Sequence, residues 1–193
     1  RSVLMSIKVF SFFVIVSFLI WGLSIGGSGS VEAMRPWVPD ENLTGFVKTM
    51  ENPALMRGNA SIEVYDDVGY KAKGYGNRAY LFSANTIGEA EKILLYKLME
   101  ANDYIDRLVT YSLNKHQRNA LVSLVYNIGP TTFKNSLALK HLNNGHINLF
   151  LIEAFDKRRG FTCADGKYNK GLIERRALER EIWKKGDYSV MDA

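Results

Sequence analysis

A segment near the middle of the chain is apolar on nearly every face, and it sets the strongest limit on the fold. Five of the aliphatic side chains in residues 117–128 recur at helical spacing, namely Ala120, Leu121, Leu124, Val125 and Ile128. Asn114 and Gln117 form a capping pattern before this segment, and Gly129-Pro130 ends it. A helix that is apolar all round has to be covered by other elements. The segment therefore predicts a buried central helix inside a folded domain.

The residues before the central helix predict one further helix and a small sheet. Asp40 can cap a helix that ends near Asn52 and Pro53. Between residues 62 and 81, β-forming side chains are interrupted by glycines. This pattern is typical of a small twisted hairpin or a three-stranded sheet.

The rest of the chain predicts a series of helices. Thr86 and Glu89 form a capping-box pattern at the start of an amphipathic segment that reaches Leu108. After the central helix, three more helices are predicted, at about 133–142, 146–155 and 171–183. A polar loop is predicted at 157–169, between the last two of them. A small β-element followed by several helices indicates an α+β domain.

Residues 1–33 have the layout of an export signal. Two basic residues precede an apolar run over residues 9–25, and small glycine and serine residues follow it. The segment is expected either to be cleaved after Ala33 as a signal peptide or to be retained as a signal-anchor in the inner membrane, since the run is close to the roughly 20 residues that cross a bilayer. The folded domain is then residues 34–193, exported to the periplasm or the exterior.

Composition excludes several classes of function. The single cysteine, Cys163, rules out an internal disulfide and a multi-cysteine metal site, and the three histidines lack metal-ligand spacing. No Ser-His-Asp pattern or phosphate-binding glycine loop is present, so no cofactor and no metal is expected. The net charge of +5 comes from dispersed basic doublets rather than a basic strip. We therefore expect no nucleic-acid partner.

Carboxylates are the remaining candidates for chemistry. Glu51 lies at the predicted end of the first helix, and Asp66 and Asp67 lie in the predicted hairpin. Cleavage of a glycosidic bond needs such a pair, one acid to protonate the leaving oxygen and one carboxylate to activate water or attack the sugar. The residues alone leave open that the two aspartates are only solvated turn residues.

Three segments of the chain resemble the phage-type lysozymes, a family that includes many endolysins, over residues 42–184. Residues 46–51 resemble the helix that ends on the family's catalytic glutamate. Residues 117–145 resemble its central buried helix and the helix that follows. Residues 171–183 resemble its closing helix. The resemblance implies a lysozyme-like α+β fold, with a small β-hairpin or sheet subdomain and a mainly helical lobe. It implies that the Arg175-Arg176 doublet supports folding and cleft shape.

The same resemblance implies a muramidase that acts alone on peptidoglycan glycan strands. It would cleave the β-1,4 bond between N-acetylmuramic acid and N-acetylglucosamine during lysis of a bacterium by a phage or prophage. Glu51 is then the general acid, and Asp67 or Asp66 holds water or stabilises the transition state. Counting from Tyr65 favours Asp67, whereas counting from Gly69 favours Asp66; Asp67 is preferred.

The active-site region departs from the family pattern at three places. The link between Glu51 and the aspartates is longer, Ala72 stands where the family has a threonine, and Asn77 replaces a histidine. Loss of one group that positions water costs roughly ten- to a thousand-fold in rate. The alternative function is therefore a lysozyme-fold peptidoglycan-binding protein with a weakened or inactive site, and a membrane-anchored structural protein is a third.

Overall fold

The computed structural model of the protein describes four stretches, residues 37–56, 65–67, 70–78 and 84–189. All four belong to one unit, Pro36–Ala193. The apolar run at residues 9–25, and with it the predicted division after residue 33, lies outside the described residues. None of the helices within the described stretches has the length and apolarity that a bilayer crossing requires.

The described stretches contain eight helices and five short strands. In chain order they are α1 (Glu41–Glu51), α2 (Pro53–Met56), β1 (Tyr65–Asp67), β2 (Tyr70–Lys73), β3 (Asn77–Arg78), α3 (Ile87–Leu108), α4 (Lys115–Ile128), α5 (Pro130–Lys134), α6 (Leu137–Asn143), α7 (Ile147–Phe155), β4 (Cys163–Ala164), β5 (Lys167–Tyr168) and α8 (Lys170–Lys185). The expected α+β architecture is confirmed, with a small antiparallel sheet before a mainly helical lobe.

Helix α4 is the predicted central helix, and its middle part is buried on all sides. Every residue from 119 to 125 is buried, and α4 packs most extensively against α8 and α3. Asn114 and Gln117 form the predicted capping box, and Gly129 ends the helix. Each fully buried leucine in this helix contributes about 1.5–3 kcal/mol through removal of apolar surface from water, which explains why the other helices assemble around it.

Helix α1 begins and ends where its sequence predicts. The Asp40 side chain accepts a hydrogen bond from the Leu43 N–H at 2.8 Å, as an N-cap does. The helix ends at Glu51 because Asn52 leaves the helical conformation and Pro53 starts the short helix α2. Glu51 is thus the last residue of α1.

The turn between β2 and β3 is fixed from two sides. The Asn52 side chain donates to the Gly74 carbonyl at 3.1 Å, which ties the turn to the end of α1. The Tyr126 hydroxyl donates to the Tyr75 carbonyl at 2.6 Å, which ties it to α4. Tyr75 itself is buried. The sheet is therefore attached to the helical lobe next to Glu51.

Two predictions between residues 130 and 170 are wrong in detail. The single helix expected at 133–142 is two helices, α5 and α6, because Ser136 leaves the helix and caps α6 by accepting from the Leu139 N–H at 3.1 Å. The polar loop expected at 157–169 contains the β4–β5 hairpin. Its turn residues Asp165 and Gly166 have positive φ of 50° and 74°, and Asp-Gly is a strong hairpin signal in sequence.

Candidate active site

Glu51 lies in the wall of a cleft of about 970 Å³. The cleft is bounded by the end of α1, by α3, by the C-terminal half of α4 and by the segment that contains β4. The Glu51 side chain is only 13% exposed. A ligand that fills the cleft would displace the water next to this largely buried carboxylate. The carboxyl group is therefore well placed to react with a bound ligand.

Gly76 lies directly against the Glu51 carboxylate. A Cβ atom on Gly76 would collide with Oε2 of Glu51, and the φ of Gly76 is +77°. Only glycine adopts this backbone conformation at low cost and leaves the space that the carboxylate occupies. The β2–β3 turn therefore sets the position of one oxygen of Glu51.

The other oxygen of Glu51 is bound by Arg175 from α8. Nη1 of Arg175 donates to Oε1 at 2.5 Å, and the Arg175 side chain is 5% exposed. Burial would lower the pKa of Arg175, but the charges of Glu51 and Glu179 and the hydrogen bonds to them raise it above its usual value. Arg175 therefore stays a cation and anchors the Glu51 carboxylate.

A buried charged cluster continues from Arg175 into the domain. Glu179 is fully buried and accepts from Nε of Arg175 at 3.1 Å and from the Ser123 hydroxyl at 2.6 Å. Nη2 of Arg176 donates to Oε1 of Glu179 at 3.2 Å, and Nε of Arg176 forms an ion-pair contact with Oε2 of Glu179 at 2.9 Å. When Glu51 is ionised, the cluster has two cations and two anions, so its charges balance. Balance matters because an unpaired buried charge is strongly destabilising.

Arg176 also orients a polar group in the cleft. Its Nη2 donates to Oδ1 of Asn127 at 2.9 Å, and Asn127 lines the cleft. The amide NH₂ group of Asn127 is thereby left as a donor to a ligand. Burial lowers the pKa of Arg176 to about 10 and the charge of neighbouring Arg175 adds to this, while Glu179 opposes it.

The remaining walls of the cleft offer aromatic rings and one ion pair. Tyr104, Tyr126 and Phe161 line it, and Lys97 and Glu100 on α3 form a pair at 2.7 Å along another wall. Aromatic and apolar walls with a few placed polar groups are typical of sites for uncharged organic ligands such as sugars.

The structure places the backbone of Asp66 and Asp67 in β1, and their side chains lie outside its described part. Asp66 pairs with Lys71 and Asp67 with Tyr70 across the β1–β2 ladder. Ala72, in the same ladder, pairs with Tyr65 on one side and with Arg78 on the other. The catalytic role of Asp66 or Asp67, like that of Glu51, stays a prediction.

Sequence reasoning assigned no role to Ser123 or Glu179. The spacing of Arg175 and Arg176 with Glu179 places all three on one face of a helix. Ser123 is a polar residue inside an otherwise apolar helix, which signals a buried hydrogen bond. These two patterns could have predicted the buried cluster of Ser123, Arg175, Arg176 and Glu179. They could not have predicted its contact with Glu51, which is distant in sequence.

Comparison with known proteins agrees with this architecture. The phage lysozyme family model matches residues 57–179, which include β1, α4 and most of α8. The SAR-endolysin of Enterobacteria phage P21 is 35% identical over 107 residues, which are 55% of this chain and 62% of that protein. The endolysin of Bacillus phage B103 is 30% identical over 125 residues, 65% of this chain and 45% of that protein.

The chain spans less than two thirds of the length of either of these relatives. Among solved structures, the muramidase domain of SpmX from Asticaccaulis excentricus superposes with a TM-score of 0.62 at 25% identity. The match covers 78% of this chain and 99% of that domain. The family model alone covers more than half of the 193 residues. The chain belongs to the phage lysozyme family.

Proposed function

We propose that the protein is a muramidase that hydrolyses the β-1,4 bond between N-acetylmuramic acid and N-acetylglucosamine in peptidoglycan. The observation that carries the proposal is the Glu51 carboxylate, held in the cleft wall between Arg175 and Gly76. Membership of the phage lysozyme family supports the same reaction. The endolysin relatives support a role in lysis by a phage or prophage.

In this reaction the protonated form of Glu51 donates its proton to the leaving oxygen of the scissile bond. Asp67, or Asp66 in its place, positions the attacking water or stabilises the positively charged transition state. Arg175 holds the Glu51 carboxylate through one oxygen and so fixes its direction relative to the bound sugar. Release of water from the aromatic walls strengthens each of these interactions when the glycan binds.

The decisive test compares Glu51→Gln with the wild type on purified peptidoglycan, with muropeptide release as the measurement. Glutamine keeps the shape of the side chain and can accept from Arg175, but it cannot donate a proton to the leaving group. We expect the rate to fall by about a hundredfold or more. Glu41→Gln, at the exposed start of the same helix, is the control and should keep the wild-type rate. Equal rates for Glu51→Gln and the wild type would refute the assignment.

A second candidate is a peptidoglycan-binding protein that has kept the fold but lost turnover. It is favoured by Ala72, which cannot supply the hydroxyl that the family's threonine provides, and by Asn77. Co-sedimentation with cell walls without release of reducing ends, over a wide pH range, would support it. Released reducing ends that disappear in Glu51→Gln would exclude it.

We further propose that residues 1–33 direct export and that the run at 9–25, when retained, tethers the protein to the inner membrane until it is released. The apolar character of the run and the similarity to SAR-endolysins support this. Fractionation of cells before and after the membrane potential is dissipated tests it. Membrane association that does not change would count against release, and a soluble protein beginning at Met34 would show cleavage. A monomeric folded domain is expected in either case.

A further inference from the structure

Helix α3 carries a row of three residues that begins in the wall of the cleft and ends outside it. Tyr104 and Glu100 line the cleft. Tyr96 is the next residue of the row, because side chains four positions apart lie on the same side of a helix. We name Tyr96, Glu100 and Tyr104 the α3 row. Since Tyr96 is 61% exposed, the row extends the aromatic wall of the cleft onto the open surface of α3.

Lys97 connects Tyr96 to the wall of the cleft. Nζ of Lys97 pairs with Oε2 of Glu100 at 2.7 Å and lies 5.8 Å from the centre of the Tyr96 ring, which is a cation–π distance. The guanidinium carbon of Arg107 lies 4.6 Å from the centre of the Tyr104 ring in the same way. Lys97 therefore fixes the Tyr96 ring from one face, and the exposure of this ring leaves its other face to a ligand.

The spacing of the two rings fits a glycan. Tyr96 and Tyr104 are eight positions apart, which is about 12 Å along an α-helix. This distance is comparable with the length of two linked sugar rings. Each sugar ring of a β-1,4-linked glycan has a face of C–H groups, and such a face packs well on an aromatic ring. Because Lys97 and Glu100 neutralise each other between the rings, the surface there suits an uncharged sugar.

Its place beside the cleft distinguishes Tyr96 from other exposed apolar side chains, which are ordinary on a soluble domain. Leu137 on α6 and Leu149 on α7 are also exposed, but neither lines the cleft nor shares a helical row with a residue that does. Tyr96 shares its row with two residues of the cleft wall. A strand that fills the cleft and continues along α3 would reach it, whereas a second protein would have to enter the cleft to contact the whole row.

We infer that the α3 row is an outer binding site for the glycan strand, in which Tyr96 stacks on a sugar ring beyond those held in the cleft. The inference rests on the proposed muramidase function for the identity of the ligand, and it adds a site that binds long strands. Tyr96 lies outside the cleft that contains Glu51. Its contribution is therefore expected in the affinity for the strand and not in the chemical step.

The test measures the affinity of peptide-free glycan oligosaccharides of increasing length for the full chain. All binding measurements use the Glu51→Gln background, so that the oligosaccharides are not cleaved. Two variants are compared in it, Tyr96→Ala, which removes the ring, and Tyr96→Phe, which keeps it. Leu149→Ala is the matched control, because Leu149 is 46% exposed and does not line the cleft. Titration calorimetry gives the Kd for each length, and the same substitutions in the wild type are assayed for release of reducing ends.

With Tyr96 present, we expect the affinity to increase about 3- to 10-fold at the oligosaccharide length that reaches the ring. Tyr96→Ala should lose this increase and bind shorter oligosaccharides as before, while Tyr96→Phe and Leu149→Ala should keep it. In the active enzyme, Tyr96→Ala should raise KM on long strands and leave kcat unchanged.

Three results would overturn the inference: an increase that survives in Tyr96→Ala, a loss that is the same at every length, or a loss of equal size in Tyr96→Phe or Leu149→Ala. Absence of binding at every length would overturn it as well. If oligosaccharides bind with the expected dependence on length but the wild type releases no reducing ends, the proposed function fails and the outer binding site is retained.

Discussion

Gly76 and Glu51 are a pair in which the smaller residue determines where the larger one lies. The Glu51 carboxylate occupies the space that a side chain at position 76 would need, and Gly76 has a φ of +77°. Gly45, in α1, is a matched glycine for comparison, because a Cβ atom at position 45 would contact nothing within 4 Å.

Gly76→Ala is therefore expected to displace Glu51 and to remove most of the activity. Its strained backbone should also cost about 1–3 kcal/mol in the free energy of unfolding. Gly45→Ala should instead stabilise the protein by about 0.4–1 kcal/mol and leave activity unchanged. Urea unfolding and muropeptide release measure the two effects. Wild-type turnover in Gly76→Ala would show that the close approach has no role in positioning Glu51.

The choice between Asp66 and Asp67 can be made by substitution. Both lie in β1, and consecutive residues of a strand alternate between the two faces of a sheet. We therefore expect only one of Asp66→Asn and Asp67→Asn to lose activity, by about a hundredfold or more, and we expect it to be Asp67→Asn. Muropeptide release decides this, and unfolding midpoints show whether each variant folds. Two active variants would remove both aspartates from the mechanism.

At the scale of elements, the packing of α8 depends on one buried charge, the carboxylate of Glu179. Glu179 faces two guanidinium groups and the Ser123 hydroxyl, and it is 0% exposed. Glu179→Gln would leave Arg175 and Arg176 without this counter-charge, and we expect a loss of about 3–5 kcal/mol in the free energy of unfolding.

The matched control for this loss is Glu181→Gln on the same helix. Glu181 pairs with Lys185 at 2.7 Å on the surface, and such exposed pairs contribute little to stability because water and salt screen them. Chemical unfolding of both variants gives the comparison. If the two substitutions cost the same, the buried cluster does not hold α8 in place.

Elements whose signals are local could be predicted from sequence, and those that depend on distant partners could not. The capping boxes at Thr86 and Asn114 lie within four residues of their partners, and both formed as expected. The break at Ser136 was not predicted, because the helical pattern of apolar residues continues through the position at which Ser136 caps α6. The contact between Glu51 and Arg175 joins the first helix to the last, and no periodicity within one helix can indicate it.

The molecule as a whole is tied together at Asp40, where three distant parts of the chain meet. Asp40 caps α1, accepts from the Asn119 amide of α4 at 3.1 Å, and pairs with Lys115 at 3.0 Å. The same amide donates to the hydroxyl of Tyr188, beyond the end of α8. One carboxylate therefore joins the start of the domain to its centre and, through Asn119, to its C-terminal segment.

This arrangement gives the stability of the domain a dependence on pH. Burial would raise the pKa of Asp40, but the hydrogen bonds from the Leu43 N–H and Asn119, with the charge of Lys115, bring it below its ordinary value. A carboxyl whose pKa is lowered by folding stabilises the folded state above its unfolded pKa, which is about 4. That stabilisation is lost as the pH falls through the lower, folded-state pKa.

Asp40→Asn isolates this charge, because asparagine caps a helix as well as aspartate does. At pH 7 we expect the variant to be less stable than the wild type by about 0.5–1 kcal/mol, from the lost attraction to Lys115 and to the helix N-terminus. As the pH falls from about 4, the unfolded-state value, through the lower folded-state pKa, the wild-type carboxyl becomes protonated as well, so the two unfolding free energies should converge. Urea unfolding at pH 7 and at successively lower pH measures the difference. A difference that stays constant with pH would mean that the lost hydrogen-bond geometry, and not the charge of Asp40, stabilises this junction.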